Sequence, residues 1–293
     1  MNKIGIFISI FLLLSSFIQA EEWIKEGNIS LSLNQNAYSD NWAGDENGSI
    51  SWVFNADFLA EKQLNPKLHN KNTLKIAYGQ THSQSIDSNN EKVWEEPEKT
   101  TDLFDLESVL RFTLNTVVDP YISGRIESNF MDEGDEALGV NAKLYNPIII
   151  TEGFGAAKIL LKKEKQELST RLGGAFKQYV NTREEIDNTN DGGIEFIADY
   201  KTSLANEKIG FKSKLNIYKA LYYSKSDLDV DDNWKASRMN WENIFTASIT
   251  NLINVNLYLE FIYNKTDYDT QGECIDEIQF KQNLSLGLTY KFL

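Results

Sequence analysis

His69 and His82 are the only imidazoles in the 293-residue chain, so acid–base chemistry near neutral pH falls to them or to a carboxyl with a shifted pKa. Ser49, Ser51 and Ser83 come within reach of His82 if their segments pair as strands, and a serine activated by that histidine would make a lipid hydrolase. No G-x-S-x-G or other nucleophile signature accompanies them. Two acidic runs have part of a calcium-loop spacing. Asp227, Asp229 and Asp231 in "DLDVDD" lack glycine at the sixth position and meet Arg238 at the twelfth. The run "DNTNDGG", with Asp187 and Asp191 as its acids, has Gly192 at the sixth position but Ala198 at the twelfth. Both read as polar loops, and no cofactor is expected. The single Cys274, in "DTQGECIDE", forbids an internal disulfide.

Nucleotide and nucleic-acid functions find no support either. The chain has no P-loop or dinucleotide fingerprint, and its net charge of -14 with a pI near 4.7 repels nucleic-acid backbones.

What must position any site is a series of period-two ladders, which recur along the chain without a competing amphipathic helix. The apolar faces run through Ile29 to Leu33, Ile50 to Ala60, Leu74 to Tyr78, Leu106 to Leu114, Ile122 to Phe130 and the glycine-rich Ile149, Thr151, Gly153, Gly155, Ala157, Ile159, which has room for a bulge. They continue through Leu168 to Phe176, Ile194 to Leu204, Ile209 to Ile217, Met239 to Ile249, Val255 to Tyr263 and Ile278 to Phe292, twelve in all. None of these faces carries a charge, while the alternate faces are crowded with them. A wall facing hydrocarbon needs that exclusion, because an ionised group at mid-depth costs several kcal/mol.

Connections alternate in length. Long polar segments near 35–48, 84–101, 131–146, 181–192, 223–236 and 267–276 alternate with short ones, and the whole acid excess falls in the long set. The expected fold is therefore all-β: a closed antiparallel up-and-down transmembrane β-barrel of about twelve strands, over residues 21–293. Its last ladder, "NLSLGLTYKFL", must pair with the first, since every backbone polar group inside a bilayer needs a partner. Residues 1–20, "MNKIGIFISIFLLLSSFIQA", read as a signal peptide cleaved after Ala20, with Lys3 before a short apolar core. That implies the general secretion pathway and the outer membrane of a Gram-negative-type bacterium. The implied partners are outer-membrane lipids and lipopolysaccharide, with periplasmic chaperones and the barrel-assembly machinery during biogenesis.

The stretches "WIKEGNISLSLNQNAYSDNWAGDENGSISWVFNADF", "LKIAYG", "DVDDNW", "NWENIFTASI" and "GLTYKF" resemble the bacterial family labelled domain of unknown function 3078, from about Trp23 onward. Its most characteristic patch corresponds to Trp42, Ala43 and Gly44 followed by Glu46 and Asn47, with Asp45 where a further glycine is expected. The resemblance implies an outer-membrane barrel and carries no activity. It makes Trp42, Gly44, Glu46 and Asn47 the candidates for recognition by the outer loops.

Twelve strands leave a narrow lumen that side chains either line or obstruct. Arg111 and Arg125 on the charged faces are lumen candidates, and from the sixth ladder onward the denser basic residues Lys158, Arg171, Lys177, Lys201, Lys212, Lys214 and Arg238 would form a positive stripe suited to a small anionic solute. A narrow channel is thus the first functional expectation. An occluded structural or surface-recognition barrel is the second and a lipid hydrolase at His82 the third.

Overall fold

The computed structural model describes residues 22–37, 47–88, 91–114, 116–132, 141–183, 186–206, 208–227, 232–250, 253–266 and 274–292. The expected signal peptide, Trp42, Gly44 and Glu46 of the loop patch, and Asp229 and Asp231 lie outside the described residues.

Twelve long strands follow the twelve ladders. They are β1 (Ile24–Asn36), β2 (Ser49–Asn65), β3 (Leu68–Ile86), β4 (Glu98–Phe112), β5 (Asp119–Ser128), β6 (Ile148–Lys163), β7 (Gln166–Val180), β8 (Thr189–Leu204), β9 (Ile209–Tyr223), β10 (Ser237–Ser248), β11 (Ile253–Tyr263) and β12 (Gln279–Phe292). Each pairs antiparallel with its neighbours in the chain, and β12 returns to β1 with Leu288 opposite Leu31 and Gly287 opposite Ser32. The sheet therefore closes as expected and leaves no edge strand of the barrel unpaired. Among the described residues no helix is long and apolar enough to cross a membrane, so crossing rests on the strands.

The apolar residues point out. Leu284 and Phe154 are 67% exposed, and Leu33 is 64% exposed, as side chains on the outside of a barrel with nothing packed over them must be. Directly opposed pairs stack aromatic rings along this wall, with Phe211 and Phe245 at 4.6 Å between centroids and Phe261 and Phe280 at 5.1 Å. The alternate residues fill the interior with charge, where Asp105, Glu107, Arg171 and Glu195 are all buried.

Strand β6 departs from expectation. Its outward residues are Ile150, Glu152, Phe154 and Lys158, while Thr151 and Ala157 are buried inside. The register explains the reversal. Leu168 of β7 faces Leu161 but Ser169 faces Ile159, so Leu160 is an extra residue in β6 and everything before it changes face. Glycines at 153 and 155 carry no side chain to signal a phase. The reversal leaves Glu152 and Lys158 exposed on the outer wall, and Lys219 of β9 stands exposed there too, so that wall is not free of charge. Lys158 is five residues from the end of β6, in the half nearer the short-turn rim, where a long apolar stem lets its ammonium lean toward that rim.

The two rims differ. Residues 66–67 and 164–165 suffice to join β2 to β3 and β6 to β7 on one rim, on which β1 also begins. On the other, β3 runs on to pair with a short strand at Lys92–Trp94, and Met131–Asp132 pairs with Lys143–Leu144 in the connection from β5 to β6.

Candidate functional site in the lumen

The interior is crossed at mid-height by ion pairs. Lys75 on β3 reaches Glu242 on β10 with Nζ 3.0 Å from Oε2, and these strands stand almost opposite each other in the ring. Glu107 on β4 receives Arg171 of β7 at 2.7 Å and Lys214 of β9 at 3.7 Å. Lys214 and Glu242 are register partners on β9 and β10, so the two crossings join into one network. Arg125 closes it on the β5 side, donating from Nε and Nη2 to the two oxygens of Asp105 at 2.8 and 3.0 Å while also lying 2.9 Å from Glu127. Each crossing is thus a side-chain bridge spanning the lumen between walls that stand almost opposite each other.

A second layer lies nearer the rim of the long loops. Asp191 of β8 is wholly buried and accepts from Tyr218 at 2.6 Å, Tyr179 at 3.2 Å and Arg238 at 2.9 Å. Lys177 stands 4.1 Å over the Tyr218 ring and 4.0 Å from Glu195. The connection after β9 then folds inward. Its 3-10 turn, Asn233–Lys235, carries Trp234 down onto Tyr218, Ala220 and Ala175, with Tyr223 packed beside it. Loop, aromatic rings and ion pairs thus cap the mid-lumen network from above.

Small residues make room for the aromatic side chains. Tyr121 of β5 is buried opposite Gly155 of β6, and Arg171 stacks 5.6 Å from its ring. A β-carbon at Gly173, the β7 partner of Gly155, would run into the carbonyl oxygen of Phe154. Glycine is required there by this close strand approach rather than by a turn.

Most of the basic residues expected in the lumen are there. Arg111, Arg125, Arg171, Lys177, Lys201, Lys212, Lys214 and Arg238 belong to the inward face, and Lys158 does not. They do not form a bare positive stripe. Arg111 lies 3.8 Å from Asp119 and Lys201 3.8 Å from Glu167, and the others named above meet carboxylates too, whereas Lys212 faces Lys201 across β8 and β9. Trp234 was not legible as a lumen residue, although "DVDDNW" marks its surroundings as distinctive.

The remaining candidates separate. His82 faces out opposite Ile50, while Ser51, which shares a 2.7 Å hydroxyl contact with Thr81, and Ser83 lie on the opposite face of the sheet. Asn47 is exposed two residues before β2. Of the acids considered for calcium, Asp191 is consumed by its tyrosines and arginine, Asp187 lies 2.8 Å from Lys225, and Asp227 is exposed. Among the described residues no three His, Cys, Asp or Glu side chains converge on a metal-sized position.

One loop-to-loop tie is fully built. Asn146, buried completely, donates to Asp132 at 2.6 Å and to Asn181 at 3.1 Å, and accepts from the Thr182 amide at 2.7 Å. Arg183 donates to the same Asp132 carboxylate at 2.7 Å. The Arg183 hydrogen bond holds the Asp132 carboxyl below the usual carboxylate range, assisted by Asn146. A carboxyl depressed in the folded state contributes order above its unfolded pKa of about 3.9 and loses it as pH falls through the lower, folded value. Limited proteolysis in the 141–147 segment is expected to be slow at neutral pH, to accelerate below about pH 4, and to be fast at neutral pH in Asp132→Asn. Equal cleavage rates for wild type and variant at pH 7 would refute the tie.

A closed ring of twelve antiparallel strands, apolar outside and charge-paired within, defines a transmembrane β-barrel of the outer-membrane type. The model of a family described as protein of unknown function (DUF3078) matches residues 33–133, about a third of the chain, and that match takes in the loop patch from Trp42 to Asn47. The stretches "DVDDNW", "NWENIFTASI" and "GLTYKF" lie beyond it.

Among solved structures, an outer membrane channel from Pseudomonas putida F1 aligns at 14% identity over 94% of this chain and 96% of that one, with a TM-score of 0.41. The translocator domain of the autotransporter NalP from Neisseria meningitidis aligns at 10% identity over 98% and 92%, with a TM-score of 0.36. The transport unit of the autotransporter AIDA-I from Escherichia coli aligns at 11% over 96% and 93%, with a TM-score of 0.31. No activity is drawn from likeness at this level. No curated protein matches the sequence.

Proposed function

We propose that this protein is an outer-membrane barrel of a Gram-negative-type bacterium, closed at rest, whose working surface is its acidic loop rim. On this reading it is a structural or surface-recognition barrel rather than an open pore. The observation that carries it is the pair of crossings at mid-lumen, Lys75 to Glu242 and Glu107 to Lys214, which join opposite walls directly. Trp234 supports it from above. The placement of His82 on the opposite face from Ser51 and Ser83 takes away the histidine–serine pairing on which the lipid-hydrolase reading depended. Lipids and lipopolysaccharide surround the barrel, and periplasmic chaperones and the assembly machinery deliver it there.

Purified protein in planar bilayers at neutral pH is expected to show no steady conductance, while Lys75→Gln/Glu242→Gln/Trp234→Ala is expected to conduct. Steady conductance from the wild type would overturn the closed reading. It would support the second reading, a narrow conduit for small solutes, which the 29% and 20% exposure of the Lys75 and Glu242 side chains favours, because water already reaches that pair. For the conduit, anion preference should fall on reversal of charge at Lys212 and Lys214.

A further inference from the structure

A groove of about 300 Å³ opens on the outer wall close to the rim of the short turns, away from the lumen network. Two adjacent rungs of outward side chains shape it. Gly27, Phe58, Leu74 and Leu106 are register partners across β1 to β4, and Lys25, Ala60 and Asn72 form the next rung toward the rim. Gly27 and Ala60 put almost nothing in front of Phe58, Leu74 and Leu106, so a trough is left where the wall is otherwise lined by large side chains.

The trough is apolar, but its rim end is not. Lys25 lines it and is exposed. Two residues beyond Ala60 on the same outward face stands Lys62, whose Nζ sits 5.7 Å from the centre of the Trp23 ring. Trp23 is itself exposed, an amphipathic ring at the depth where headgroups lie. Asn72 is already engaged, donating to the Ala60 carbonyl at 3.3 Å and to Asn70 at 2.6 Å while accepting from Ser108 at 2.7 Å. Glu26 contributes backbone, its side chain falling on the opposite parity.

We propose that this groove binds one anionic glycerophospholipid. An acyl chain lies in the trough along Phe58, Leu74 and Leu106, and the phosphodiester sits between Lys25 and Lys62 at the rim. Charge complementarity selects the occupant. Two lysines spaced along one outward face attract a headgroup of net negative charge, whereas phosphatidylethanolamine brings an ammonium that they repel. Lipopolysaccharide is excluded by position: if the acidic loop rim is the cell-surface side, as the functional reading above holds, the short turns face the periplasm and the groove opens on the inner leaflet, and this part rests on that reading.

The full-length barrel, folded in detergent, would be titrated with phosphatidylglycerol and, separately, phosphatidylethanolamine, and bound lipids counted by native mass spectrometry. One phosphatidylglycerol is expected to be retained in preference to phosphatidylethanolamine. The variant Lys25→Gln/Lys62→Gln, altered only at lysine side chains outside the barrel, should lose that preference by about 25-fold, at about fivefold per lysine. Ala60→Leu, which fills the trough, should lose retention of both lipids. The heat-modifiable mobility of the folded barrel on gels confirms that each variant is intact, and the lysine variant keeps the test decisive if Ala60→Leu does not fold. Equal retention of the two lipids by wild type, or an unchanged preference in the lysine variant, would sink the proposal. Binding in micelles depends on neither orientation nor a closed lumen, so the failure of this site is distinguishable from the failure of the functional reading.

Discussion

Glu107→Gln is expected to destabilise the barrel by about 3–5 kcal/mol, the cost of leaving buried charge uncompensated. The substitution keeps the volume of the side chain and removes its charge. Arg171 and Lys214 then remain in an interior where their side chains are 10% and 19% exposed, with their shared carboxylate gone. At that exposure water replaces the lost carboxylate only in part. Urea unfolding in lipid vesicles, followed by tryptophan fluorescence, should show a lower midpoint at unchanged slope. Removing one cation as well, in Glu107→Gln/Lys214→Met, should recover part of the loss, because the two residues act as a unit and their effects do not add. Lys201→Gln is the comparison. Its partner Glu167 is 3.8 Å away and the Lys201 side chain is 54% exposed, so the loss should stay within about 1 kcal/mol. A wild-type midpoint for Glu107→Gln would mean that the crossing contributes nothing to closure.

The second large effect is steric. Gly173→Val is expected to abolish the folded, heat-modifiable form, and Gly124→Val to preserve it. Both are glycines in strands of the same barrel and both would gain β-propensity from valine. Around Gly173 an added β-carbon meets the Phe154 carbonyl group, and the Gly155 α-carbon lies only 2.8 Å away. Backbone atoms cannot swing aside as a side chain can, so β6 and β7 would have to part and break their ladder of hydrogen bonds. Around Gly124 nothing stands within 4 Å. Its side faces out, level with Ser108 and Glu152, and a valine there meets only lipid. Equal yields of folded protein from the two variants would contradict the close approach at Gly173.

How much of this was open to reading from residues alone differs between wall and interior. The wall was legible because lipid on one side and charge on the other impose a period of two on every strand, and the alternation of long and short connections follows from strands that run up and down. Strand β6 shows the limit. Its phase depends on one surplus residue, Leu160, and on glycines that carry no side-chain signal, so Glu152, Lys158 and the intervening positions exchanged faces. The inward basic residues were legible as a set, yet their meaning was not. Arg171, Lys214 and Arg238 read as a positive stripe until their carboxylates are placed beside them.

By itself the amino-acid order determined an all-β barrel of twelve strands and which rim bears the acid, because alternation and loop length are local properties that each segment displays on its own. Tertiary structure alone decided that Lys75 meets Glu242, that Glu107 serves two strands at once and that Trp234 enters from above. Those contacts join positions far apart in the chain, and only the curvature and register of the closed ring determine which inward side chains arrive at the same height.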